Sequence, residues 1–371
     1  MMKEKIKQKA AELGFPKVAF LPVQSLPLWE EGIKRRKAID PETAGYWEAR
    51  GLVSDIYAVM GDARTIIAAF YPYQPFRQSS SPEKGYFSAH YKAYPRGHAA
   101  MAELGKLLTD MGYHISVDPP VPVKEITYRS GLGKFGKNGL IHNPKYGSLM
   151  TLHVMLTNAE LKPDDAIPGD ISDCGSCRLC IDACPMQAIT DNGTVIISRC
   201  MRYHMLSQDF IPIEIREKTG SRMLGCEDCQ VSCPRNRNAY NKAVNFNESD
   251  EIFNIRSILK DHARGLKNHM SLIGETVGRN YARPLRVLSM AVIAAGNSGD
   301  PSYIPLLAQT LGHSHPPVRA HSAWAIGKLG GENEKDLLME ARKQEKNPKV
   351  IEDIDLAISR IESRKTYYGK S

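Results

Sequence analysis

All eight cysteines of the chain lie between residues 174 and 233, in spacings suited to iron–sulfur chemistry. Cys174, Cys177, Cys180 and Cys184, followed by Pro185, form the C-x2-C-x2-C-x3-C-P run of bacterial ferredoxins. Cys200 stands alone. Cys226, Cys229 and Cys233 follow, closed again by a proline, Pro234. In this pattern the fourth cysteine of the run serves the other cluster. Cys174, Cys177, Cys180 and Cys233 are therefore assigned to one 4Fe–4S cluster. Cys184, Cys200, Cys226 and Cys229 are assigned to the second, so that each thiolate is used once. Close spacing wraps the backbone around a cube face and aims its N–H groups at the cluster sulfurs. Disulfides would need an oxidising compartment, and zinc suits isolated C-x2-C pairs better than the tighter run.

Composition sets wider bounds. A chain of 371 residues predicts two or three domains. Its net charge of +8 and pI of about 8.9 favour a polyanionic partner such as nucleic acid. No apolar run reaches the roughly 18 residues of a membrane span. The start, Met1 to Ala11, reads as a Lys-rich amphipathic helix with no apolar leader core, so a cytoplasmic location is expected.

The elements that must position the clusters form an α+β, multidomain chain. Residues 1–165 read as a mixed α/β domain. Helices are expected over Lys3 to Leu13 and Gly97 to Met111, and strands over Lys17 to Leu21, Thr65 to Phe70, His114 to Val117 and Ser148 to Leu156. Residues 74–96 read as a loop. Gly131-Leu132-Gly133-Lys134-Phe135-Gly136 matches G-x-G-x-x-G, but no apolar strand leads into it. A tight, basic loop with exposed N–H groups is the better reading. Residues 166–245 form the ferredoxin-like cluster domain, with a hairpin at Asn192-Gly193 and a solvated helix over Glu214 to Arg222. Residues 246–371 form a helical domain. Pro284-Leu285-Arg286 recurs as Pro317-Val318-Arg319 at an offset of 33, and the series continues at Lys349-Val350, as in HEAT-like repeats. Arg279, Arg283, Arg286, Arg319 and His321 suggest a nucleic-acid surface there.

The cysteine pattern with Gly220-x-Arg222-x-x-Gly225-Cys226, Gly131-Leu132-Gly133-x-x-Gly136-Lys137-Asn138, Gly147-Ser148 and the C-terminal repeats resembles the epoxyqueuosine reductase family. The resemblance spans most of the chain. It implies a cobalamin-binding α/β domain, two 4Fe–4S clusters and a HEAT-like tail. The implied reaction reduces epoxyqueuosine to queuosine at the wobble position of tRNA, with two electrons and two protons. Partners would be the tRNA anticodon stem-loop and an external low-potential electron donor, with no membrane, and the protein would be a monomer. Asp118, in Val117-Asp118-Pro119-Pro120, matches the family's proton-donating Asp, and desolvation could raise its pKa and keep it protonated.

The same resemblance carries cobalamin contacts over to Arg96, Lys137, Asn138, Ile141, Leu152, Met155, Arg202, Glu227 and Asp228, and a substrate contact to Arg222. The chain also departs from the family pattern. The Y-x-x-G-x-D-Y-H segment stands here as Tyr94-Pro95-Arg96-Gly97-His98-Ala99-Ala100-Met101, and Glu227 replaces an Asp. Two other readings follow from the same residues: a corrinoid-dependent, dehalogenase-like reductase of a small molecule, and a non-catalytic electron-transfer protein.

Overall fold

The computed structural model describes residues 2–77, 81, 83–165, 169–245 and 252–368. The chain forms two compact units, each assembled from separated segments: 1–76, 89–200 and 227–244 in the first, and 77–88, 201–226 and 245–371 in the second. The segment expected over 166–245 as one cluster domain is divided, and residues 201–226 belong to the second unit.

The first unit is built on a four-stranded antiparallel sheet. Its spatial order is Val18–Pro22, Thr65–Pro72, Met150–Thr157, Ile115–Val117. The strand Thr65–Pro72 is apolar without alternation because both of its faces are covered. Ile66, Ala68 and Phe70 face a core with Leu26, Val121, Ile126 and Ile141. Ile67 and Ala69 face a second core with Ile6, Met101, Leu104 and Leu108. Those last residues come from the helices Met2–Glu12 and Ala89–Thr109. The long helix begins eight residues before the expected Gly97 and runs through Pro95, taking over the last eight residues of the expected loop. A proline inside a helix removes one i→i−4 hydrogen bond, which burial of Tyr91, Ala93, Met101 and Leu104 on the same helix outweighs.

Gly131 follows the helix Val123–Arg129 rather than a strand, so the local structure is not that of a dinucleotide fingerprint. At the Asn192-Gly193 turn only Gly193 has positive φ, where a type I′ hairpin would need it at both residues.

In the second unit the helices Pro284–Asn297, Pro316–Leu329 and Pro348–Tyr368 each start on a proline, the residue favoured at the first helical position. They stack in series, and Ile304–Leu311 and Glu332–Gln344 pack on them as the alternate helices of HEAT-like pairs. The helix Ile213–Thr219 is not solvated as expected. Arg216 is buried, its guanidinium fork lies 2.6 and 3.0 Å from the two carboxylate oxygens of Asp353, and its Nε donates to the Ile211 carbonyl at 2.6 Å. The expected basic surface shrinks for a related reason. His321 is fully buried and accepts the Ile211 N–H, Arg286 donates to the Tyr281 carbonyl, and Arg319 grips Glu345 with two nitrogens. Arg279 and Arg283 stay exposed.

Removing one member of a buried ion pair strands the other. Asp353→Ala is expected to lower the stability of the repeats by about 3–5 kcal/mol, and Arg216→Met with Asp353→Leu by much less, read by urea unfolding followed through helical circular dichroism.

Candidate functional site

Asp118 follows the strand Ile115–Val117 and sits at φ 43°, in the left-handed region that non-glycine residues seldom adopt. Its neighbours hold it there. Its N–H donates to the Val154 carbonyl at 2.7 Å, and its Oδ1 accepts the Val154 N–H at 3.0 Å. Its Oδ2 lies 2.8 Å from two imidazole nitrogens, Nδ1 of His98 and Nδ1 of His153. A carboxylate only accepts, so both Nδ1 atoms donate when Asp118 is ionised.

The two histidines come from different elements. His153 is fully buried on the central strand, and its Nε2 lies 2.8 Å from the Thr151 hydroxyl. His98 is on the long helix with its side chain 50% exposed. Tyr94, Gly97 and His98 share one helix face, at the i, i+3, i+4 spacing. The Tyr94 ring leans on His153 at 5.2 Å between centroids. A Cβ at position 97 would come 2.2 Å from Nε2 of His153, so only glycine lets helix and imidazole approach this closely. Burial alone would raise the Asp118 carboxyl. The hydrogen bond and charge of His153, then the His98 bond and the Val154 N–H, outweigh it and hold the group below its ordinary 3.8. The expectation of a carboxyl kept protonated by desolvation is corrected: Asp118 is an anion.

The four cysteines expected in the first ligand set lie near one another. The Cys180 thiol is pushed up by burial and by the neighbouring Cys174, Cys233 and Cys177. Burial pushes the Cys233 thiol up as well, with Cys174 and Cys177 adding to it and Arg235 opposing. Four half-buried, mutually repelling sulfurs are what a cationic metal–sulfur core would neutralise. In the second set, the Ala188 N–H lies 3.3 Å from the Cys184 sulfur. Cys200 and Cys229 belong to the first unit and Cys226 to the second.

The Gly-rich loop is tied to the cluster segment. Lys137 Nζ donates to the Cys177 carbonyl at 3.0 Å, and Asn138 Nδ2 reaches the Cys229 carbonyl at 3.4 Å. Ser148, Gln230 and Asn236 form a buried knot: the Ser148 N–H donates to Asn236 Oδ1 at 2.9 Å, and the Ser148 hydroxyl donates to Gln230 Oε1 at 3.1 Å. Gly147, at φ 58°, makes room for it, since a Cβ there would lie 1.9 Å from Asn236 Oδ1.

The other carried-over residues are placed as follows. Leu152 and Met155 point to opposite faces of the sheet. Met155 is fully buried against the long helix, and Ile141 lies in the other core, so neither side chain presents itself to a ligand. The backbone of Leu152 does. The strand Ile115–Val117 covers only residues 155–157 of its neighbour. The N–H and C=O of Val154 face Asp118, so by alternation those of Leu152 face the same side, along an edge on which no strand lies among the described residues. An amide-rimmed macrocycle such as a corrin ring fits an edge of that kind.

Arg96 is exposed on the long helix. Glu227 is buried, and its carbonyl accepts the Gln230 N–H in the first turn of the helix Asp228–Val231. Beside it, burial and then the Glu227 charge push the Tyr73 hydroxyl well above its ordinary value, against a hydrogen bond from Gln230. Arg202 and Arg222 belong to the second unit, where Arg222 donates to the Thr219 carbonyl at 3.1 Å. His98, His153 and Thr151 were missed from the sequence. The replaced D-Y-H segment was a signal for His98, whereas nothing in the apolar run 148–156 marked His153.

Comparison with known proteins agrees with this layout. Residues 173–236 match the 4Fe-4S double cluster binding domain, and residues 283–358 match HEAT repeats. An epoxyqueuosine reductase of Lactococcus garvieae is 30% identical over 349 residues, covering 88% of this chain and 96% of the relative. One from Vibrio cholerae is 31% identical over 351 residues, covering 86% and 90%. The match to the Bacillus anthracis epoxyqueuosine reductase is 29% over 252 residues, 65% of this chain and 63% of the relative's length. Among solved structures, a selenomethionine-labelled epoxyqueuosine reductase superposes with a TM-score of 0.82 at 24% identity, over 97% of this chain and 99% of that one. An epoxyqueuosine reductase with a tRNA-Tyr epoxyqueuosine-modified stem loop gives 0.81 at the same identity and coverage. These structures share the fold. No helix among the described residues is long and apolar enough to cross a membrane.

His142, at the end of the Gly-rich loop, is buried. Its Nε2 lies 3.1 Å from Asn138 Oδ1, and its Nδ1 has no partner among the described residues. Burial, and then the Arg235 charge, lower its pKa from 6.5 to about 4, with Asp173 opposing. The unfolded imidazole therefore binds a proton that the folded one refuses, and folding stability falls as pH drops from about 6.5 towards 4. His142→Gln is expected to flatten that fall, measured as urea midpoints at about pH 7 and pH 4.5.

Proposed function

The chain belongs to the epoxyqueuosine reductase family, and on that premise we propose that it reduces epoxyqueuosine to queuosine at the wobble position of a tRNA anticodon. The observation that carries this reading is the likeness to the Lactococcus enzyme over 88% of this chain and 96% of that one. The reaction takes two electrons and two protons and releases the epoxide oxygen as water.

Electrons enter one at a time from an external low-potential donor. The eight cysteines would hold two 4Fe–4S clusters, in the ligand sets assigned above, and such clusters would supply single-electron transfer. A cobalamin, when bound, supplies a reduced cobalt at the carbon–oxygen bond. The open edge at Leu152 would hold its amide rim, while Lys137 and Asn138 fix the neighbouring loop to the Cys177 and Cys229 carbonyls. Asp118, with the two imidazoles bonded to it, forms the proton-handling side. In the second unit Arg222 and the exposed Arg279 and Arg283 are the phosphate-binding candidates for the tRNA. The protein works as a cytoplasmic monomer in this reading.

Anaerobic reconstitution with iron, sulfide and cobalamin, followed by reduction and incubation with epoxyqueuosine-containing tRNA, tests it. The digested nucleoside should lose the mass of one oxygen atom, only when corrinoid is present, and Asp118→Asn should slow conversion by about 100-fold or more. Corrinoid binding without conversion would instead indicate a small-molecule substrate, and clusters without corrinoid binding an electron carrier. Arg279→Glu with Arg283→Glu should weaken tRNA binding and lower the slope of its salt dependence by about 2, as expected for two lost phosphate contacts.

A further inference from the structure

We propose that His98 is the catalytic residue that passes the proton to the departing epoxide oxygen, with Asp118 as the anion that orients it. This rests on the reduction reading above. Four observations carry it.

First, the Asp118 carboxylate is fully engaged inside the protein. Its Oδ1 accepts the Val154 N–H, and its Oδ2 receives two imidazoles. Only 7% of its side chain is exposed, against 50% for His98. An acceptor holding three hydrogen bonds has no proton to give and little surface to give it from. Second, His153 is spent. Both of its ring nitrogens are used internally, on Asp118 and on Thr151, and it has no exposed surface. Third, His98 is bound on one side only. Its Nδ1 is anchored on Asp118 at 2.8 Å, while its Nε2 has no partner among the described residues. A carboxylate fixing one imidazole nitrogen so that the other can exchange a proton with substrate is the arrangement of a His–Asp acid–base pair. Fourth, the helix face is shaped to give this result. Gly97 lets His153 fill the space beneath it, and Tyr94 leans on the same ring, so that His98 is the member of that face left towards solvent.

Asp118, at the strand end, is bonded to His98; His153, on the central strand, is bonded to the same carboxylate oxygen, and Tyr94, on the helix of His98, packs on His153.

The step balances as follows. Both carbon–oxygen bonds of the epoxide break and a carbon–carbon double bond forms between the two ring carbons, with the two electrons supplied by the external low-potential donor. The oxygen takes one proton from Nε2 of His98 and one from solvent, and it leaves as water. His98 is reprotonated from solvent, and Asp118 stays ionised throughout.

The test uses the full chain, reconstituted with clusters and corrinoid, and tRNA bearing epoxyqueuosine. His98→Ala should cut turnover by about 100-fold or more while tRNA affinity is kept, and added imidazole should restore turnover in proportion to its protonated fraction. Independently of activity, 15N-histidine spectra of the unloaded protein should show the His98 Nδ1 proton on its hydrogen bond in the wild type and an altered tautomer balance in Asp118→Ala. Near-wild-type turnover in His98→Ala, or a loss that imidazole does not restore, overturns the proposal while leaving the reduction reading intact. No conversion by the wild type would instead remove the reading on which it rests.

Discussion

Two reciprocal hydrogen bonds between Asp118 and Val154 are the hinge on which the first unit turns. They end the pairing of the strand Ile115–Val117 with its neighbour and force Asp118 to a positive φ. Three consequences follow from that one local event. The carboxylate is aimed along the helix face that carries His98. His153, adjacent to Val154, is placed where it can share the same oxygen. Among the described residues no strand lies on the sheet edge beyond that point, where the backbone of Leu152 faces outward. The paired carboxylate and the open strand edge are thus produced together, and moving either would move the other.

Much of this was legible in the sequence, for physical reasons that differ by element. The eight cysteines announced themselves because cluster ligation tolerates almost no change in residue type or spacing. The strand Thr65–Pro72 and the repeat helices were legible because their periodicity is set by burial alone. The long helix was cut short at Gly97 because Pro95 and Gly97 both read as breakers. Tertiary packing overrode that local preference: burial of the helix's apolar face fixes it, and contact with His153 demands the glycine.

Charged residues were the least legible. Arg216, Arg286 and Arg319 have the composition of a basic surface, yet each is consumed by an internal acceptor. Spacing places a residue on a helix face, but it does not say whether a carboxylate from another helix will meet it there. Asp353 lies 137 residues from Arg216, and no local pattern predicts that pair. The repeats are held partly by such pairs, which leaves fewer exposed cations for a polyanion than the charge count suggests.

The same reasoning separates the roles at the proton site. Sequence resemblance could transfer a carboxylate but not its protonation state, because that state is set by what surrounds it. Desolvation favours the neutral acid. Two imidazoles and an amide favour the anion, and they win here because all three bonds are short and converge on one group. Once Asp118 is an anion, the proton needed by a departing oxygen has to reside elsewhere. Among the groups bonded to that carboxylate, His98 is the one with solvent on its far side. A carboxylate matched by sequence can therefore keep its place in the chain while the groups bonded to it change what it does.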